Sequence, residues 1–320
     1  MKTETITEET STTNQKSVMN IISKHYKYED EVKEIIENEK LLPYELLNRL
    51  HLCYPRQSGI FRNDEILFLD KIYYSGLKGF REIIEILLSS GINIGFIKER
   101  EFFIEVYRFL ATKHILNSID WNNYETDPMY HLVFPQPGMI AQSEVDKYLQ
   151  AQTDTERTFV VEEYQKKTNP HDGKQKLNKP WFINDDAHLE ILEGCQHKYP
   201  PVKLIFDKNT QNCFAFCTYC FRHAQVRGDD DMFVQHDVNQ IHEYLKQHKE
   251  ISDILITGGD GGYITYNRLA EYVVPLIEDP ALMHVKTIRI GSRALTFHPE
   301  LLLTNKFRDI LELMRRAVDC

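Results

Sequence analysis

Three of the six cysteines fall within eight residues, Cys213-Phe-Ala-Phe-Cys217-Thr-Tyr-Cys220, while Cys53, Cys195 and Cys320 are scattered. Thiols crowded in this way point to metal binding or catalysis. A structural zinc site takes four protein ligands, and disulfides take cysteines in pairs. A four-iron cluster is normally held by four thiolates. Three thiolates at this spacing can wrap three corners of such a cluster from one tight loop. One iron then stays open to a small molecule. Zinc with His223 as fourth ligand is the rival reading, although C-x3-C-x2-C-x2-H is not a usual finger spacing. Three cysteines packing a core is the plain reading, and it fits poorly with a loop that also carries Thr218, Arg222 and His223.

Two more stretches carry chemistry. In Gly258-Gly259-Asp260-Gly261-Gly262 the glycines remove side chains where backbone can approach a ligand, and Asp260 adds a carboxylate for a cation. Gly291-Ser292-Arg293 offers a hydroxyl and a guanidinium. The plain readings are a glycine turn, and a turn followed by a surface arginine. Arg222 has a fork suited to a carboxylate, or to a structural ion pair.

These stretches need elements to hold them. Val202-Lys-Leu-Ile-Phe206, Asp253-Ile-Leu-Ile-Thr257 and Lys286-Thr-Ile-Arg-Ile290 read as short β-strands. Helical patterns lie at 237–248 (Ile241, Tyr244, Leu245), 267–277 (Leu269, Tyr272, Val273, Leu276) and 305–318 (Ile310, Leu311, Met314, Val318). The alternation predicts an α/β fold with βα units around a parallel sheet or barrel. Each chemical stretch follows the C-terminal end of a strand, where such folds keep their active sites.

Upstream, 1–18 is a polar Thr/Glu tail that reads as disordered. Residues 19–118 read as mainly helical, with Ile83, Ile84, Leu87 and Leu88 on one face and Phe102, Phe103, Val106, Phe109 and Leu110 on the next. Prolines at 128, 135, 137, 170, 180, 200 and 201 break 119–201 into loops and short elements. Lys166-Lys167 and Lys174 to Lys179 read as solvated charge.

The whole chain has 320 residues, 42% of them hydrophobic, and a formal net charge of −10. Its mean hydropathy is −0.44. That length allows two domains or one large one. The negative charge disfavours nucleic acid. No apolar run approaches a membrane span, and the N-terminus lacks the apolar core of a signal peptide. The cysteines are therefore expected in a reducing, cytoplasmic compartment.

C-x3-C-x2-C with an aromatic, Tyr219, before the last cysteine resembles the signature of radical S-adenosylmethionine enzymes. The resemblance narrows with Cys-x-Tyr-Cys-Phe-Arg222, the glycine–glycine–aspartate and Ile288-Arg-Ile-Gly-Ser-Arg293. With Phe134-Pro-Gln-Pro137, Asn169-Pro-His171 and Gln196-His-Lys-Tyr199, these stretches resemble lysine 2,3-aminomutase and its relatives over about residues 125 to 318.

The resemblance implies a [4Fe-4S] cluster on Cys213, Cys217 and Cys220, with S-adenosylmethionine chelating the open iron. Reduction of the cluster, by a donor such as flavodoxin or ferredoxin, then yields a 5′-deoxyadenosyl radical. Tyr219 is expected beside the adenine, and Gly258, Gly259 and Asp260 at the methionyl amino group. Ser292 and Arg293 are expected to face the cofactor pocket, and Arg222 the carboxylate of an amino-acid substrate. The implied reaction is a 1,2-migration of an amino group, assisted by pyridoxal 5′-phosphate. Radical chemistry without that cofactor, and a non-catalytic metal-binding remnant, are the alternatives.

Two departures stand out. The relatives usually carry proline or alanine after the glycine–glycine–aspartate; Gly261 and Gly262 here predict a looser loop. The family barrel has about six βα units, and only three are counted from Val202 to Cys320. The lysine that carries pyridoxal phosphate lies beyond that point in the relatives. The expectation is a half-barrel, with the edge of its third strand and its inner face open. It would be a fragment, a homo-oligomer or one partner of a separately encoded half.

Overall fold

The sheet forms from short runs rich in branched apolar residues. In the computed structural model, which describes residues 68, 71–169, 178–184, 186–227 and 232–319, a four-stranded sheet has the order β5-β6-β7-β8. Its strands are β5 (Cys195–Tyr199), β6 (Val202–Phe206), β7 (Asp253–Thr257) and β8 (Thr287–Ile290). The three expected strands are β6, β7 and β8, and they run parallel with Leu204 opposite Leu255 and Leu255 opposite Arg289. β5 adds an antiparallel strand on the outer side of β6. The tail at 1–18, the stretch 19–67, Cys53, Cys320 and the Pro170-His171 pair lie outside the described residues.

Alternation along the strands decides what each face meets. Ile205, Ile254 and Ile256 are fully buried against α8 (Val238–Gln247), α9 (Tyr266–Glu278) and α11 (Asn305–Asp319). Those helices fall within a residue or two of their expected limits. Asp237 caps α8, accepting from Asn239 N–H at 2.9 Å, and the Thr265 hydroxyl caps α9. On the opposite face Leu204 and Leu255 are only half-buried, and β8 pairs with β7 alone among the described residues.

A second core holds the site from the other side. β1 (Tyr73–Ser75) pairs antiparallel with β2 (Leu110–Thr112), and α1 (Gly76–Ser89), α3 (Lys113–Ser118) and α4 (Pro128–Val133) pack around them. Ile83 and Leu87 of α1 are buried as expected, but Leu88 points to solvent. Phe214 and Ala215 of the cysteine loop belong to this core, as do Ala294 and Phe297 of α10 (Ala294–Phe297).

Two expectations are corrected, on the Phe102 stripe and on Lys179. The helical stripe from Phe102 does not run to Leu110: α2 (Ile97–Tyr107) stops where Arg108 takes φ of 72°, and Leu110 starts β2. A positive φ cannot continue a right-handed helix. The proline-rich stretch 119–201 alternates irregular segments with short elements. It holds α4, α5 (Gln142–Gln150) and α6 (Asp154–Thr168), besides the hairpin of β3 (Trp181–Ile183) and β4 (Leu189–Ile191). Lys179 is not solvated: its side chain is buried, paired with Glu193 and lying over the Phe233 ring. Lys166 and Lys167 do sit in solvent, paired with Glu163 and Glu144. Among the described residues no helix is long and apolar enough to cross a membrane.

Candidate active site

The site begins at the end of β6. Asp207 is fully buried and accepts from Arg268 Nε (2.7 Å), the Tyr272 hydroxyl (2.8 Å) and Asn209 N–H (2.8 Å). This fixes the strand end to α9. One turn later the Thr210 carbonyl accepts from Gly259 N–H (2.7 Å) and Asp260 N–H (3.1 Å). The Thr210 hydroxyl reaches the carbonyls of Asp207 and Thr257 at 2.9 and 2.5 Å. Thr210 thus fastens the entry of the cysteine loop to the loop after β7.

The glycines are required at that junction. Gly258 has φ of 153°, and a Cβ there would lie 2.5 Å from the Thr210 Oγ1. A Cβ on Gly259 would lie 2.9 Å from the Cys213 sulfur and 2.6 Å from the Asn212 carbonyl oxygen. The missing side chain of Gly259 is therefore the space that the first cysteine occupies.

Gly261 and Gly262 do not loosen the loop. Gly261 N–H donates to the Gly291 carbonyl at 2.7 Å, and Gly262 N–H to Asp260 Oδ1 at 2.8 Å. Asp260, 4% exposed, also accepts from the Ser292 hydroxyl (2.6 Å, Oδ1) and Arg293 N–H (2.9 Å, Oδ2). This carboxylate clamps the loop after β7 to the loop after β8. Ser292 is engaged in that clamp. The Arg293 guanidinium lies 5.8 Å over the Tyr219 ring and 5.9 Å over the Phe297 ring. It is close enough to Cys217 to favour that thiolate.

The cysteine loop is strapped down from behind. Phe216 N–H donates to the Leu110 carbonyl (2.9 Å), Thr218 N–H to Leu132 (2.9 Å) and the Thr218 hydroxyl to His131 (2.8 Å). Tyr263 stacks on Phe214 at 4.3 Å and donates to the Cys213 carbonyl at 3.3 Å. The cysteines are half-buried, and burial pushes all three thiols up, Cys217 to about 11. Cys213 is raised further by Cys220, Asp260 and Cys217. A bound metal would reverse this and hold them as thiolates.

Thiolates around one zinc ion stand roughly 3.8 Å apart, given bonds of ~2.3 Å in a tetrahedron. No three of Cys213, Cys217, Cys220 and His223 bring their ligand atoms within 4.8 Å of one another. His223 instead begins α7 (His223–Arg227), its ring packed edge-on to Tyr107 at 5.0 Å. The sulfur donor set and the close seat against Gly259 fit an iron–sulfur cluster.

Arg222 stands apart from the clamp. Its guanidinium lies 4.6 Å over the Phe206 ring and 5.2 Å over the Phe221 ring, and burial pushes its pKa down. No carboxylate pairs with it among the described residues. Tyr219 and Phe221, 61% and 64% exposed, flank Cys220. The structure thus brings the cysteines, Tyr219, Gly258, Gly259, Asp260, Ser292 and Arg293 to one end of the sheet. Thr210, Phe214, Tyr263 and Leu132 escaped the sequence reading. Only Thr210 carried a signal, as a small hydroxyl residue just before the cysteine motif.

No family model matches the chain. Curated relatives do. An L-lysine 2,3-aminomutase of Bacillus subtilis is 32% identical over 131 residues, 41% of this chain and 26% of the relative. An L-lysine 2,3-aminomutase of Acetoanaerobium sticklandii is 30% identical over 144 residues, 41% of this chain and 34% of the relative. A glutamate 2,3-aminomutase of Clostridioides difficile is 26% identical over 239 residues, 69% of this chain and 55% of the relative. The matches thus span from about a quarter to about half of these relatives' own length. Taken with the cysteine loop and its two partner loops, these similarities, at modest identity, support a lysine 2,3-aminomutase-like radical S-adenosylmethionine family for the chain.

Proposed function

We propose that Cys213, Cys217 and Cys220 hold three irons of a [4Fe-4S] cluster, and that S-adenosylmethionine binds the fourth. Once reduced, that pair supplies a 5′-deoxyadenosyl radical, the cofactors' own chemistry. The protein's part is to position and to exclude. The backbone of Gly258 and Gly259 meets the methionyl amino group, and Asp260 holds that backbone in place. Tyr219 lies along the adenine, with Arg293 beside it and Ser292 at the pocket wall. Arg222 takes the carboxylate of an amino-acid substrate, and its apolar seat makes that ion pair stronger than it would be in water. The reaction is isomerisation by 1,2-migration of an amino group. Pyridoxal 5′-phosphate enters through the family resemblance alone, and no described residue is assigned to it. A low-potential flavodoxin or ferredoxin is the proposed electron donor. The three parallel strands are read as the first half of a barrel, whose further units would cover Leu204 and Leu255.

The observation that supports this reading best is the convergence of three strand-end loops, with Gly259 seated against the Cys213 sulfur and Asp260 bonded to Ser292 and Arg293. The test is anaerobic iron–sulfur reconstitution followed by reduction with S-adenosylmethionine. 5′-Deoxyadenosine should form with the wild-type chain and vanish with Cys217→Ala. Equal product from that variant would overturn the cluster assignment.

A further inference from the structure

Gln196-His197-Lys198-Tyr199 takes no part in the cysteine site. It lies in β5, and His197 meets two residues of the crossover that joins β6 to β7. His248 follows the last turn of α8, and Glu250 lies between α8 and β7. All three sit toward the N-terminal ends of the parallel strands, away from the cysteines. One ring nitrogen of each histidine and one carboxylate oxygen of Glu250 lie within 4.8 Å of one another.

Their polar contacts are few and specific. His248 Nδ1 is 2.7 Å from Glu250 Oε1, His197 Nδ1 is 2.7 Å from the Tyr244 hydroxyl, and His197 Nε2 is 3.0 Å from the Pro200 carbonyl. The two imidazoles stand nearly perpendicular, 5.6 Å apart. Tyr244, 2% exposed, holds both: it lies flat against His248 at 4.0 Å and edge-on to His197 at 5.8 Å. Donors from three chain positions, two of them braced by one buried ring, are arranged before any ion arrives. Two imidazoles and a carboxylate are a donor set for zinc and similar borderline cations; magnesium and calcium prefer oxygen alone.

We propose that His197, His248 and Glu250 bind a zinc-class divalent cation that ties β5, the end of α8 and the start of β7 together. To ligate, His197 exchanges one of its two hydrogen bonds for the metal. If Nε2 leaves the Pro200 carbonyl, Nδ1–H donates to the Tyr244 oxygen and fixes the tautomer, the usual outer-shell arrangement for a metal histidine. At this end of the strands the ion stabilises the fold and takes no part in the radical chemistry.

Zinc binding is measured by competition with a chromophoric chelator. The full chain carries Cys213→Ser, Cys217→Ser and Cys220→Ser, so the cluster thiols cannot take the metal. The expected result is about one zinc per chain, and cobalt in its place giving ligand-field bands without sulfur charge transfer. Glu250→Gln and His248→Ala should each weaken binding tenfold or more, and Tyr244→Phe about tenfold. In parallel, zinc should raise the melting temperature of the cluster-loaded wild type, and Glu250→Gln should abolish the rise. No zinc taken from the chelator, binding unchanged in both ligand variants, or a sulfur-to-cobalt band would each overturn the proposal. So would a melting temperature indifferent to zinc. The serine-substituted chain has no cluster, so this outcome is independent of the radical reading.

Discussion

At Gly259 a single methyl group tests the site. Alanine there would place its Cβ against both the Cys213 sulfur and the Asn212 carbonyl, and the carbonyl is backbone that cannot swing aside. Overpacking of this kind costs about 1–3 kcal/mol. Gly259→Ala should melt lower than wild type and take up less iron on reconstitution; full iron loading would show that Gly259 does not seat the cluster. Arg222 is tested by substrate dependence. Lysine keeps the charge but loses the planar fork that stacks on Phe206 and Phe221. Arg222→Lys should raise KM for the amino acid by tenfold or more and leave substrate-free cleavage of S-adenosylmethionine unchanged. An unaltered KM removes Arg222 from the substrate site.

The elements are joined by Asp260, and its two oxygens divide the work. Oδ1 serves Gly262 and Ser292, while Oδ2 serves Arg293 N–H. Asp260→Asn keeps the shape but turns an N–H₂ group toward one of these donors. The stranded donor costs about 1–3 kcal/mol, to be read as a lower denaturant midpoint at constant slope; a midpoint equal to wild type would mean that the clamp is not needed. At this scale the strands and their helices were legible in the sequence. β6, β7 and β8 are short runs of branched residues, and α8 and α9 carry clean apolar stripes; in α11 Ile310 is buried as expected, but Leu311 and Val318 face solvent and Leu313 is buried in their place. The cysteines and glycines announced themselves by spacing. What escaped is long-range. The clamp between Asp260 and Ser292 spans 32 residues, and the straps from Leu110 and Leu132 are backbone bonds that no side-chain pattern records. The capping box of α6, with Thr153 and Glu156 exchanging bonds at 3.2 Å, was readable as Thr-x-x-Glu among the prolines.

For the whole molecule, Lys203 offers a stability test away from the cysteines. It is fully buried on the helix-facing side of the sheet, its amine 3.5 Å over the Tyr244 ring with no hydrogen-bond partner among the described residues. Burial pushes its pKa down from 10.5 to about 8. Between pH 8 and 10.5 the unfolded chain keeps a proton that the folded chain has lost, so rising pH disfavours unfolding. This group should contribute roughly 3 kcal/mol of added stability across that window. Lys203→Met should remove this rise, and parallel pH profiles for the two proteins would refute it.

The central claim is that three loops build a seat for a cluster with one open iron. It is tested most directly by electron paramagnetic resonance of the reconstituted, reduced chain. A cluster signal should appear and change on adding S-adenosylmethionine. A cluster whose signal ignores S-adenosylmethionine, or a chain that binds no cluster, would contradict it.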